Sequence, residues 1–72
     1  MSVSEALRLF RECHGLSYTD LTNELNRAGL DIDRMAVVRI EKGERRRFTE
    51  EEIRIIARVV GRTPNELVDY ND

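Results

Sequence analysis

The sequence predicts an all-α fold of five helices packed into one compact domain. Three observations carry this expectation. Apolar residues recur at spacings of three and four, and no useful stretch alternates as a strand would. Gly15, Gly29, Gly43 and Gly61 each fall just after one of these patterns, the customary place of a helix stop. Short hydroxyl or carboxyl side chains stand before the patterns, where a helix needs its first N–H groups capped.

The first helix is expected over about residues 4–14, with Ala6, Leu7 and Phe10 inward and Leu9 half exposed. The second begins at the cap Ser17, with Asp20 as a short-armed capping-box partner and Leu16 and Leu21 in staple positions. It carries Leu21 and Leu25 inward and reaches about Ala28. Asp33 caps the third helix, residues 34–42, whose Val37 and Ile40 face the core. The fourth has the strongest start in the chain: Thr49 and Glu52 form a full box, and Phe48 and Ile53 the staple. Ile53, Ile56, Ala57 and Val60 make its buried stripe. The last helix is expected from Thr63, with Pro64 at its first position, Glu66 at its third and Leu67 inward.

Seventy-two residues make one domain, 1–72, and one small core. Such a core leaves only a few kcal/mol of net stability, so dimerisation or very regular packing is expected to help. With 40% hydrophobic residues spread along the chain and charges of mixed sign, disorder is not expected. No linker, repeat or low-complexity segment interrupts the sequence. No apolar run approaches the roughly 18 residues of a membrane span, and the first residues lack a signal-peptide pattern, so a soluble, cytoplasmic protein is expected.

A lone cysteine, Cys13, excludes an intramolecular disulfide. Beside it stands the only histidine, His14, and two adjacent donors do not make the usual four-ligand zinc site. No metal or cofactor is expected, and Cys13 reads as a small, partly buried hydrophobe. Asp20, Glu24 and the run Glu50-Glu51-Glu52 read as helix carboxylates, the run lying in a first turn where the dipole favours negative charge. Without a nucleophile–base pair or a glycine-rich phosphate loop, no enzyme activity is expected.

The charge is unevenly placed. Residues 34–47 hold Arg34, Arg39, Lys42, Arg45, Arg46 and Arg47 against Glu41 and Glu44, a local net of +4 in a chain of -2. Everything outside them sums to -6. Positive charge gathered on one helix and the loop after it points to a polyanion partner, here double-stranded DNA.

A second helix, a connection and a short third helix ending in Arg39-Ile40-Glu41-Lys42-Gly43 resemble the helix-turn-helix of the Cro/repressor (XRE) family. Leu7, the run from Arg11 through Gly15-Leu16-Ser17, and Leu21 are similar to the family's first two helices. Ile56-Ala57, Val60-Gly61 and Leu67 are similar to its fourth and fifth, so the likeness spans about residues 6–68. The resemblance implies a repressor-like DNA-binding domain whose third helix lies in the major groove. Its base-contacting positions are Arg34, Met35, Val38 and Arg39. Arginine can donate two parallel hydrogen bonds to guanine, and Met35 offers an apolar stem to a thymine methyl. Arg34 is the leading base reader; Arg39 reads a base or grips a phosphate. Phosphate contacts are expected from Ser17, Tyr18 and Thr19 at the start of the second helix, and from Lys42, Arg45, Arg46 and Arg47. One of the loop arginines could enter a narrow minor groove. The resemblance also implies that Glu41 turns inward to an arginine of the first helix, the place held by Arg11.

Three features depart from the family or need a plain reading. Residues 26–31 make the connection between helices two and three roughly five residues longer than the family's usual one. An extra helical turn and a loop closed by Leu30 or Ile32 are expected there. Thr22 stands where alanine is common, and its hydroxyl should bond back to its own helix. The Arg34-Met35 pair replaces the family's frequent amides, so no operator sequence carries over. Ala28-Gly29 resembles the self-cleavage bond of larger phage repressors, but in a single domain lacking a Ser/Lys pair it reads as a helix stop.

The expectation is therefore a sequence-specific transcriptional regulator, a small Cro-like repressor that occupies an operator and blocks polymerase. It should act as a homodimer on palindromic DNA, with no small-molecule ligand and with its own concentration as the switch. Ile55, Val59, Val68 and Tyr70 could form the apolar dimer patch. Two alternatives are an antitoxin-like module whose acidic faces bind a basic protein, and an architectural or recombination accessory protein with weak sequence preference.

Overall fold

The computed structural model describes residues 1–45 and 47–67. They form α1 (Val3–Cys13), α2 (Tyr18–Arg27), α3 (Arg34–Glu41), α4 (Glu50–Val60) and a 3₁₀ turn, Pro64–Glu66. Among the described residues there is no strand, and no helix is long and apolar enough to cross a membrane.

Each helix starts where a side chain takes up a free N–H. The hydroxyls of Ser2, Ser17 and Thr49 accept from the N–H groups of Glu5, Asp20 and Glu52 at 3.0, 3.0 and 3.1 Å. The carboxylates of those three acids accept the cap residues' own N–H groups, closing three reciprocal boxes. Asp33 caps α3 alone, accepting from Ala36 at 2.8 Å. The Ser2–Glu5 box sets the start of the first helix one residue before the expected one: α1 begins at Val3, whose side chain is buried.

The ends share a closure. The N–H groups of Leu16, Leu30, Glu44 and Arg62 reach back five residues to the carbonyls of Arg11, Leu25, Arg39 and Ala57, each at 2.9 Å. At the end of α3 this closure needs Gly43 in the left-handed region, φ +78°, which turns the chain sharply into the arginine loop.

Val3, Ala6 and Leu7 of α1, Leu21 and Leu25 of α2, Val37 and Ile40 of α3, and Ile53, Ile55, Ile56 and Ala57 of α4 form the core with Leu30 and Leu67. α3 packs on α1 and α2, and so does α4. Phe10 and Val60, expected on the inner faces of their helices, are half-buried and pack against the core.

Three expectations are corrected. The fifth helix is only a 3₁₀ turn. Glu66 and Leu67 donate to the carbonyls of Thr63 and Pro64, three residues back, and Leu67 leaves helical geometry (ψ +63°) as its side chain enters the core. Ile55, expected on an outer patch, is buried. The lengthened α2–α3 connection covers it: Leu30 is also buried, and Gly29 lies so near that a Cβ there would stand 3.9 Å from Ile55 Cδ1. Cys13 is exposed rather than partly buried, because it lies at the last turn of α1 on the outer side. Val59 is half-buried, while Val68 and Tyr70 lie outside the described residues.

The connection is closed as expected by Leu30, with Ile32 half-buried beside it. A second device goes beyond the expectation. The side-chain amide of Asn26 donates to the carbonyls of both Leu30 and Ile32, each at 2.9 Å, using both its hydrogens to fold the loop onto the end of α2. Thr22 donates back to the carbonyl of Tyr18 at 2.7 Å, as the sequence suggests.

Candidate nucleic-acid interface

The short α3 divides its side chains cleanly. Val37, Ile40 and Glu41 are buried, and Ala36 and Val38 are half-buried. Arg34, Met35, Arg39 and, at its C-cap, Lys42 are exposed. Met35, 52% exposed, is the most open large apolar side chain among the described residues. Three cations and one flexible apolar stem thus share the outward side. Val38 sits at the edge of that side.

The acid of this helix is turned away from it. Arg11 of α1 donates from Nε to Glu41 Oε2 at 2.9 Å and from Nη2 to Glu41 Oε1 at 3.1 Å. Ser4, two turns earlier on α1, donates its hydroxyl to the Glu41 carbonyl at 2.7 Å. Side chain and backbone of the last α3 turn are therefore both fastened to α1. The bond to Glu41 raises the Arg11 pKa, outweighing burial, which acts in the opposite sense. The Arg11 guanidinium also lies 4.4 Å from the ring centre of Tyr18. One line of contacts, Tyr18 to Arg11 to Glu41, thereby joins the start of α2 to the end of α3.

Of the expected contacts on α2, Thr19 is exposed and Tyr18 is half-buried against Arg11. The N–H of Ser17 is taken by the Asp20 carboxylate at 3.2 Å, and its oxygen by the Asp20 N–H. Its hydroxyl proton still has a direction in which to donate. The amides of Tyr18 and Thr19 precede the first intrahelical bond, from Leu21 to Ser17, and are the usual helix-end donors. Asp20 puts a negative charge at the same end and reduces its attraction for an anion.

The three loop arginines are not equivalent. Arg47 is exposed. Arg46 lies outside the described residues. Arg45 is engaged within the chain: Nη2 donates to Glu52 Oε2 at 2.7 Å, Nε donates to the Arg47 carbonyl at 3.2 Å, and the guanidinium lies 4.6 Å from the Phe48 ring centre. Burial opposes the charged form of Glu52, yet the bonds from Thr49 and Arg45 outweigh it and hold its pKa below the ordinary value.

No family model, curated protein or solved structure matches the chain. What the surface can do rests on its own geometry. Arg34, Arg39, Lys42 and Arg47 offer exposed cationic donors around one short helix and the loop that follows, with Glu44 the exposed acid among them. Among the described residues no three His, Cys, Asp or Glu side chains gather as metal ligands would. A depression of about 520 Å³ beside α2 is lined by Leu16, Asp20, Asn23, Glu24, Asn26 and Arg27, with Glu24 and Arg27 paired to each other. Its polar, acid-bearing wall differs from the apolar lining usual for a small-molecule site.

Sequence reasoning missed Asn26, Ser4 and the engagement of Arg45. An asparagine a few residues before a helix cap is a faint signal for loop closure. Ser4 and Arg45 carried none, because their partners are 37 and 7 residues away.

Proposed function

We propose that this chain is a sequence-specific DNA-binding transcriptional regulator, a small Cro-like repressor. In this reading α2 and α3 act as a helix-turn-helix of the Cro/repressor type, with α3 in the major groove. The observation that carries it is the division of α3: its cations and Met35 face solvent, while Glu41 is drawn inward by Arg11. A carboxylate on the outward side would repel phosphate; its capture by α1 leaves a surface of donors suited to phosphates and guanine edges. The helix is also held at both ends, by the Asp33 cap and by the Arg11 and Ser4 ties, which suits a rigid reading head.

Within this proposal Arg34 is the leading base contact, with Met35, Val38 and Arg39 beside it. Thr19, Lys42 and Arg47 grip phosphates, with the Ser17 hydroxyl and the Tyr18 amide as further backbone contacts. A domain this small gains affinity by binding a palindrome as a homodimer, and the surface between protomers excludes Ile55 as a contact.

The test is selection of bound duplexes from a randomised library, repeated with Arg34→Ala. The expected result is a two-fold symmetric motif that loses preference at one position per half-site, a cost of about 1–3 kcal/mol per good arginine–guanine pair. If wild type and variant enrich nothing and bind equally weakly, the reading fails. A tight stoichiometric complex with a basic protein would then favour the antitoxin-like alternative.

A further inference from the structure

We infer that Glu52, an acid at the head of α4, is a positioning residue for the cationic loop, acting through Arg45 to fix the backbone that presents Arg47. The inference rests on the DNA-binding reading above and replaces the expectation drawn from the sequence that Arg45 itself meets a phosphate. Three contacts engage the Arg45 guanidinium within the chain. Nη2 meets Glu52 Oε2 at 2.7 Å, Nε meets the Arg47 carbonyl at 3.2 Å, and its flat face lies over Phe48, 4.6 Å from the ring centre. Phe48 is in turn packed against the core. The Arg45 side chain thus ties the Arg47 peptide to two rigid parts of the molecule, leaving the Arg47 side chain exposed.

Glu52 is suited to this because its two oxygens have separate duties. Oε1 accepts the Thr49 N–H at 2.8 Å and so completes the α4 capping box; Oε2 holds Arg45. An acid placed beside a DNA-binding loop for no purpose would weaken binding through repulsion. Here its charge is matched by Arg45, and their joint product is the placement of the Arg47 carbonyl.

The variant that separates the possibilities is Glu52→Gln. Glutamine keeps an oxygen for the Thr49 N–H, so α4 stays capped. It replaces the charged acceptor by a group that no longer holds a guanidinium. Binding to a labelled random-sequence duplex is measured across a salt series for wild type, Glu52→Gln, Arg45→Gln and the double variant, with circular dichroism confirming that each is folded. If Glu52 positions the loop, Glu52→Gln binds several-fold more weakly although it has lost a negative charge. The slope of log affinity against log salt should become shallower by about 0.9 for each phosphate that is no longer neutralised. The double variant should then lose no more than Arg45→Gln alone, since both act through one contact.

Tighter or unchanged binding by Glu52→Gln overturns the inference and returns Arg45 to the role of a phosphate contact freed by the change. Additive losses in the double variant overturn it as well. A wild-type protein that binds no duplex even at low salt overturns the DNA-binding reading itself, a separate outcome from either of these.

Discussion

Arg11 and Glu41, thirty residues apart, meet through both carboxylate oxygens, and the Glu41 side chain is only 3% exposed. The pair joins the last turn of α1 to the last turn of α3. Its removal therefore does more than delete a surface charge. Arg11→Met leaves a carboxylate buried without its cation, a change that costs about 3–5 kcal/mol when a pair is fully enclosed. Because Arg11 is itself 19% exposed, a cost at or below the lower end of that range is expected. The double variant Arg11→Met/Glu41→Leu should recover most of it. Urea denaturation of the three proteins checks this; equal midpoints for wild type and Arg11→Met would show that the pair contributes nothing.

Asn26→Ala should loosen the α2–α3 connection. Two hydrogen bonds disappear together, each of a kind that contributes about 0.5–1.5 kcal/mol net. The expected sign is destabilisation with faster amide exchange across residues 30–33. Asn26→Asp should be no better than alanine, since a carboxylate cannot donate to the Leu30 and Ile32 carbonyls. Unchanged exchange in both variants would remove Asn26 from its role as the loop clasp.

Ile55→Ala tests whether that connection is part of the core. With Ile55 buried, truncation should cost on the order of 2–5 kcal/mol, enough to unfold much of so small a domain. Val59→Ala, at a half-buried position, should cost clearly less. Denaturation at several protein concentrations separates the two explanations. A loss seen only at low concentration would place Ile55 at a contact between copies.

Acid should weaken the fold partly through Glu52. Its pKa in the folded chain is lowered from 4.5, so its contribution is fully present above that value and is lost as pH falls through the lower, folded one. Glu5 and Glu66, lowered by their own cap bonds, act in the same direction. Glu52→Gln has no proton to gain there, so its urea midpoint should fall less steeply than the wild type's between neutral pH and pH values below about 4.5. Parallel profiles for the two proteins would contradict this.

What is legible in the sequence is mostly local. The boxes at Ser17 and Thr49 and the Asp33 cap lie within four residues of what they hold, and three of the four α-helix starts follow from them. The Ser2–Glu5 box is equally local, yet the apolar pattern at Ala6 and Leu7 draws the expected start past it. Ile55 shows why longer range fails. Helical periodicity measures a stripe relative to its own axis, and the stripe through Ile53 and Ile56 leaves Ile55 outside. Its burial depends on where a connection some 25 residues earlier comes to rest. The exposed set on α3 can be named from spacing because so few of its positions are needed to hold it. Arg45 cannot be told from Arg47, because composition counts charges without saying where each one ends.

The division of α3 has a consequence for how such a protein changes over generations. Among the described residues the side chains of Arg34, Met35 and Arg39 make none of the bonds that keep the helix in place, which fall to Val37, Ile40, Glu41 and the Asp33 cap. Descendants can therefore exchange the outward residues one at a time without risking the fold, and each exchange is judged only by the partner it meets. Variation should accumulate on one side of this helix and be refused on the other.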